Sequence, residues 1–106
     1  MIKFRFTVNE SFRSYSTHAI TVPKGQVDYR KLSEAGLDSG NLTILFPRGE
    51  KIRGHMNYGQ AGYGPYYQIR TYPEESIPAY LAPGNKVFVI LLKDGPKKYA
   101  VLEYRD

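Results

Sequence analysis

The sequence predicts a mostly β domain, a small barrel or pseudobarrel of about seven strands with one short helix. Three features carry that expectation. Short apolar runs alternate with polar residues at period two, Gly, Pro, Asn and Asp punctuate the runs, and two β-rich runs at the carboxy terminus flank Asp94-Gly95-Pro96 as a hairpin would. So many half-apolar strands need their faces covered and their edges removed, and closing the sheet on itself does both.

In order along the chain, Ile2, Phe4, Phe6 and Val8 alternate with Lys3, Arg5 and Thr7, which reads as a half-buried strand with a basic outer face. Asn9 to Ser16 is polar and reads as a loop. His18 to Val22 is a second β-prone run, closed by Pro23-Lys24-Gly25. The helix starts near Asp28, a capping residue, with Val27 and Leu32 spaced as a hydrophobic staple. Gly36 sits where a left-handed residue ends a helix, and Leu37 supplies the apolar contact that follows.

After a turn at Asp38-Ser39-Gly40-Asn41, the residues Leu42, Ile44 and Phe46 alternate in a third strand that stops at Pro47. Lys51 to Tyr58 reads as a fourth strand, Gly59 to Pro65 as a loop and Tyr66 to Tyr72 as a fifth strand. Pro73 to Pro83 is irregular, with Ile77, Tyr80 and Leu81 available to tie it to the core. Lys86 to Lys93 and Lys97 to Tyr104 form the closing hairpin. Val87 to Leu92 is apolar at every position, so that strand is expected to be central and covered on both sides.

The 106 residues fit one domain, 1–106, which could be a complete protein or a piece of a larger enzyme. With no cysteine, disulfides and thiolate metal ligation are excluded. No apolar run reaches the length of a membrane helix, and the amino terminus alternates where a signal peptide would be continuously apolar, so a cytoplasmic protein without membrane contact is expected. The net charge of +5 favours an anionic partner. Ten tyrosines with no tryptophan supply rings that are apolar in body and polar at the tip, suited to contact surfaces.

The stretch from Lys51 to Tyr72 concentrates the candidate chemistry. As a strand, Lys51, Arg53, His55 and Asn57 share one side, and Tyr66, Gln68, Arg70 and Tyr72 share a side of the next strand. Arginine can pair bidentately with guanine, asparagine or glutamine with adenine, and lysine with phosphate. No Asp or Glu lies between Lys51 and Pro73, so nothing within the stretch cancels its charge. Between the two runs, Tyr58, Gln60 and Tyr63 lie among glycines that let a backbone approach a ligand. The candidate nucleic-acid contacts are therefore Lys51, Arg53, His55, Asn57, Tyr58, Gln60, Tyr63, Tyr66, Gln68 and Arg70.

No HExxH, P-loop or GxSxG motif is present, and neither a metal site, a cofactor nor catalytic residues are expected. The one enzymatic alternative is a small RNA-cleaving, toxin-like protein with His18 and His55 as acid and base and Arg53 or Arg70 stabilising the transition state. RNA binding without cleavage, or a protein-interaction module using the Tyr/Gly-rich loop, are further alternatives.

Size, strand count, the short helix before Leu42 and the Lys86–Tyr104 hairpin together resemble a DNA-binding pseudobarrel. That is the fold of plant transcription-factor effector domains and of recognition domains in some restriction endonucleases. Asn57-Tyr58-Gly59-Gln60 is similar to an Asn-Trp-Gly-Gln segment of such recognition domains, with tyrosine in place of tryptophan. The resemblance implies a module that grips duplex DNA with two strand-loop arms in the major groove, while cleavage belongs to a separate domain or subunit.

Overall fold

The computed structural model describes residues 1–14 and 18–105. Its strands are β1 (Ile2–Thr7), β2 (Ile20–Val22), β3 (Gly40–Leu45), β4 (Lys51–Ala61), β5 (Gly64–Thr71), β6 (Lys86–Asp94) and β7 (Lys97–Tyr104). They form one sheet in the order β1-β6-β7-β3-β4-β5-β2. All neighbours are antiparallel except β3 and β7, which run parallel. The sheet curls into a nearly closed barrel with its seam between the edge strands β1 and β2.

Period-two patterning sets which side chains enter the barrel. Phe4 is buried while Lys3 and Arg5 are exposed; Val87, Val89 and Leu91 of β6 meet Ala100 and Leu102 of β7 inside. Two short helices close opposite ends, because α1 (Glu10–Ser14) joins the end of β1 to β2 and α2 (Tyr29–Glu34) joins the far end of β2 to β3. Each plugs its end with one fully buried side chain, Phe12 and Leu32. Burial of such a side chain contributes about 1.5–3 kcal/mol.

α2 lies where the capping pattern placed it. Asp28 caps it by accepting from the Arg30 backbone N–H at 2.9 Å. Gly36 adopts φ 72°, and the Leu37 N–H reaches back to the Leu32 carbonyl at 3.0 Å. Ile77 and Leu81 anchor the irregular segment before β6, as expected.

Three expectations are corrected. The stretch read as a loop from Asn9 contains α1, capped by Asn9, whose side-chain carbonyl accepts from the Phe12 N–H at 2.8 Å; residues 15 and 16 of that stretch lie outside the described residues. Gly59 to Pro65 is mostly strand, with Gly59 paired to Tyr66, Gln60 to Pro65 and Ala61 to Gly64, so the turn shrinks to Gly62-Tyr63. Gly59 permits this because the Tyr66 ring lies across it, in the space a Cβ would fill. Finally, β6, expected to be central and covered on both sides, lies inside the sheet but next to its edge strand β1, and only its inner face meets the core. Phe88, Ile90 and Leu92 remain half-buried on the outer face, where Lys3 Nζ sits 4.0 Å from the Phe88 ring centre.

Candidate nucleic-acid interface

β4 and β5 outrun their neighbours. β3 begins pairing at Met56 and β2 ends its pairing at Tyr67, so residues 57–66 project from the barrel as a two-stranded arm. The alternation of β4 turns Ile52, Gly54 and Met56 inward, which fixes Lys51, Arg53, His55 and Asn57 on the outer face.

Pairing register then assembles the cluster. His55 lies opposite Arg70, Asn57 opposite Gln68, and Gln68 opposite Thr21 of β2. The Gln68 side-chain carbonyl accepts from Arg70 Nε at 3.2 Å and Nη2 at 2.9 Å, while its amide N–H donates to Thr21 Oγ1 at 3.2 Å. Gln68 thus holds the Arg70 fork in place without neutralising it. Arg70 forms no ion pair among the described residues. At the other side of the cluster, His55 packs 5.2 Å from the Tyr72 ring, and Tyr72 donates to Asn41 Oδ1 at 2.6 Å. His55 Nδ1 is buried with no protein partner.

Arg53 behaves differently. The stretch contains no acid, but Glu74 and Glu75, just past Pro73, fold back onto it. Glu75 accepts from Arg53 Nε at 3.1 Å, and Glu74 accepts from Nη2. The two carboxylates, Glu75 first, push the Arg53 pKa above its ordinary value. The expectation that nothing cancels the charge therefore fails at Arg53. Lys51 is exposed on the same side, beside a cleft of about 520 Å³ that Tyr72, Lys97 and Lys98 also line.

Tyr58 and Gln60 occupy the opposite face of the arm from Asn57 and Gln68. Tyr58 packs 5.2 Å from Tyr67, Tyr67 packs edge-on to Tyr29 at 4.8 Å, and Gln60 donates to the Tyr58 hydroxyl at 2.6 Å. Burial pushes the Tyr29 and Tyr67 phenols upward in pKa. Tyr63, at the turn, is 75% exposed and lies 6.4 Å from Tyr66. Lys24 Nζ stands 5.6 Å from the Tyr63 ring and 6.0 Å from Tyr29.

Of the sequence-predicted residues, His55, Asn57, Tyr66, Gln68 and Arg70 share one continuous surface. Lys51 and Arg53 lie farther along β4, and Tyr58 and Gln60 face away. Sequence reasoning missed Thr21, Lys24 and Arg5 as neighbours of this surface. Arg5 and Thr21 meet Gln68 and Arg70 in a cleft of about 540 Å³ at the barrel seam, which only the strand order reveals. The two histidines do not converge. His18 Nδ1 is 2.6 Å from the Phe12 carbonyl and its ring packs against the buried Phe12, whereas His55 belongs to the outer face. Among the described residues, no cluster of His, Asp and Glu is arranged to hold a metal, and no helix is long and apolar enough to cross a membrane. No protein-family model and no curated protein matches the chain.

Proposed function

We propose that this domain is a duplex-DNA recognition module that reads sequence with the outer face of β4–β5 and its projecting arm. One observation carries the reading: Asn57, Gln68 and Arg70 stand side by side, half-buried, on the outer face of a strand pair, with Arg70 oriented by an amide and left without a carboxylate among the described residues. A two-stranded ribbon fits a major groove about 12 Å wide, and amide and guanidinium groups are the side chains that discriminate base edges there. Lys24 and the seam arginine Arg5 flank the row and suit phosphate contacts, which fix register without reading sequence. The module would act as a targeting domain, such as that of a restriction endonuclease, with cleavage in a separate domain or chain.

Exposed Tyr63, beside Tyr66, favours a second reading, in which the arm stacks on unpaired bases of RNA or single-stranded DNA. Fluorescence anisotropy with labelled duplex DNA, single-stranded DNA and RNA at two salt concentrations separates the two. Preference for one duplex that survives competitor DNA and moderate salt supports base reading. Stronger binding to single strands favours stacking, and weak binding to everything that vanishes with salt reduces the surface to a charged patch and refutes both readings.

A further inference from the structure

The cleft of about 520 Å³ beside Lys51 is a trough whose shape follows from side-chain length. Along its floor run two short outward residues of β3, Asn41 and Thr43. Register sets taller neighbours on either side: Thr43 lies opposite Arg53 of β4 and beside Tyr99 of β7, and one outward step along, Asn41 shares a row with Lys97. Lys51 closes the other end, two outward steps from the Lys97 row, about 13 Å along the strands. Tyr72 leans over β4, and its hydroxyl donates to Asn41 Oδ1 at 2.6 Å. That contact takes up the acceptor of the amide and leaves its N–H groups to a ligand.

Four cations line the trough, Lys51, Arg53, Lys97 and Lys98, and no carboxylate does. Lys51 and Lys97 are exposed and form no ion pair among the described residues. Lys98 is fixed at the rim by donating to the Ser39 carbonyl at 2.7 Å. The nearest acids are engaged outside the trough or stand clear of it. Glu74 and Glu75 hold Arg53, Glu50 accepts from the Tyr80 hydroxyl, and Asp94, opposite Lys97 in β6, forms no ion pair with it. Ammonium groups spread along a trough, not converging on one point, suit a run of phosphates better than a single anion.

We propose that this trough binds the phosphodiester backbone of a nucleic-acid strand, through Lys51, Lys97 and Lys98. The inference rests on the DNA reading above and extends its footprint. Asn41 lies opposite His55 and His55 opposite Arg70, so the trough is two strands, about 10 Å, from the base-reading row. A major groove is about 12 Å wide, so a strand pair inserted in one meets a backbone within about that distance on each side. The seam cleft with Arg5 flanks the row on one side, and the trough supplies the wall on the other.

Lys51→Gln combined with Lys97→Gln tests it, with a urea midpoint as the check on folding. In anisotropy titrations of the preferred duplex at several salt concentrations, the slope of log K against log salt should fall by about two units while base preference persists. Inorganic tripolyphosphate, followed by amide NMR, should shift Thr43 and Tyr99 in the wild type and leave them unmoved in the double variant. An unchanged slope, or no nucleic-acid binding at all, overturns the assignment, and tripolyphosphate shifts in the trough would then mark free polyphosphate as its ligand. A wild type in which neither probe reaches the trough removes it as an anion site. A slope that falls in a protein without base preference would instead sink the base reading and leave the backbone contact standing.

Discussion

The Gln26 side chain pairs with the Arg5 backbone as a neighbouring strand would: the Arg5 N–H donates to Gln26 Oε1 at 2.8 Å, and Gln26 Nε2 donates to the Arg5 carbonyl at 3.4 Å. β1 and β2 are the two edges of the sheet, and Gln26 lies just beyond β2. One amide therefore bridges the seam that keeps the barrel from closing by backbone pairing, and it occupies edge groups that would otherwise invite another strand. Gln26→Ala should cost about 0.5–1.5 kcal/mol in urea unfolding, the net worth of such hydrogen bonds. Hydrogen exchange gives the sharper check, since protection at the Arg5 amide should fall while the β6–β7 amides keep theirs. Unchanged exchange at Arg5 would mean that the amide contributes nothing to closure.

Gly54 and Gly59 both sit under a close neighbour, but the neighbours differ in what they can do. A Cβ on Gly54 would lie 2.8 Å from the Arg70 backbone carbonyl and 2.9 Å from Ile44 Cδ1, inside the barrel. Backbone and core cannot yield there, so Gly54→Ala should destabilise by about 1–3 kcal/mol, the usual cost of overpacking. A Cβ on Gly59 would meet only the outer end of the Tyr66 ring, at 2.2 Å. That ring can swing away, so the effect of Gly59→Ala depends on Tyr66. A double-mutant cycle reads this directly: Gly59→Ala should be close to neutral in a Tyr66→Ala background, and costlier in the wild type.

How much of this was legible in the sequence depends on the range of the interaction involved. The staple of Val27 and Leu32, the Asp28 cap and the Gly36 ending are local, and they located α2 to within a residue or two. The parity of β4 was legible for the same reason, because alternation alone puts His55 and Asn57 on one side. α1 also had a local signal in Asn9 and the lone apolar Phe12, but one turn of helix is too short to show periodicity. The arm was hidden by its glycines, since their breaker character outweighs the cross-strand contact of Tyr66 on Gly59. The Glu74 and Glu75 clamp on Arg53 spans more than twenty residues, and composition within the window could not reveal it. For β6, the continuous apolar run was read correctly as two apolar faces. Which faces the fold covers is a question of topology, which the run does not contain.

Arg70 and Gln68 are the decisive residues for the proposed DNA reading. Arg70→Ala should weaken binding to the preferred duplex by about 1–3 kcal/mol and relax discrimination at one base position. Gln68→Ala should mimic part of that loss even where Gln68 touches no base, because it removes the acceptor that holds both Arg70 Nε and Nη2. Competition against duplexes substituted one base pair at a time distinguishes the outcomes. Uniform weakening across all sequences would reassign Arg70 to phosphate, and full retention of binding would remove it from the site.

The Arg53 clamp makes the opposite kind of prediction, a gain. Glu74→Gln with Glu75→Gln leaves side chains of nearly the same shape but removes both negative charges from the guanidinium, beside a row that already lacks acids. Duplex binding should tighten, and the dependence of log K on log salt should steepen by about one unit as Arg53 becomes free to displace a counterion. Anisotropy titrations at several salt concentrations measure the slope. An unchanged slope would place Arg53 outside the footprint of the nucleic acid.

The Asp28 cap sets an acid limit on α2. The Arg30 backbone N–H, and then the Arg30 side chain, hold the Asp28 carboxyl below its ordinary pKa. A carboxylate lowered on folding contributes stability that is fully present above its unfolded value, about 3.9, and is lost as pH falls through the lower folded value. Asp28→Ala should therefore lower the urea midpoint at neutral pH, and the gap from wild type should narrow on acidification below about pH 4. Asp28→Asn keeps a side-chain oxygen that can accept the same N–H, so it should retain much of the cap at neutral pH without the acid-dependent part. Urea midpoints for the three proteins across that range carry the test, and a gap between wild type and Asp28→Ala that stays constant into strong acid would show that the charge on Asp28 plays no part.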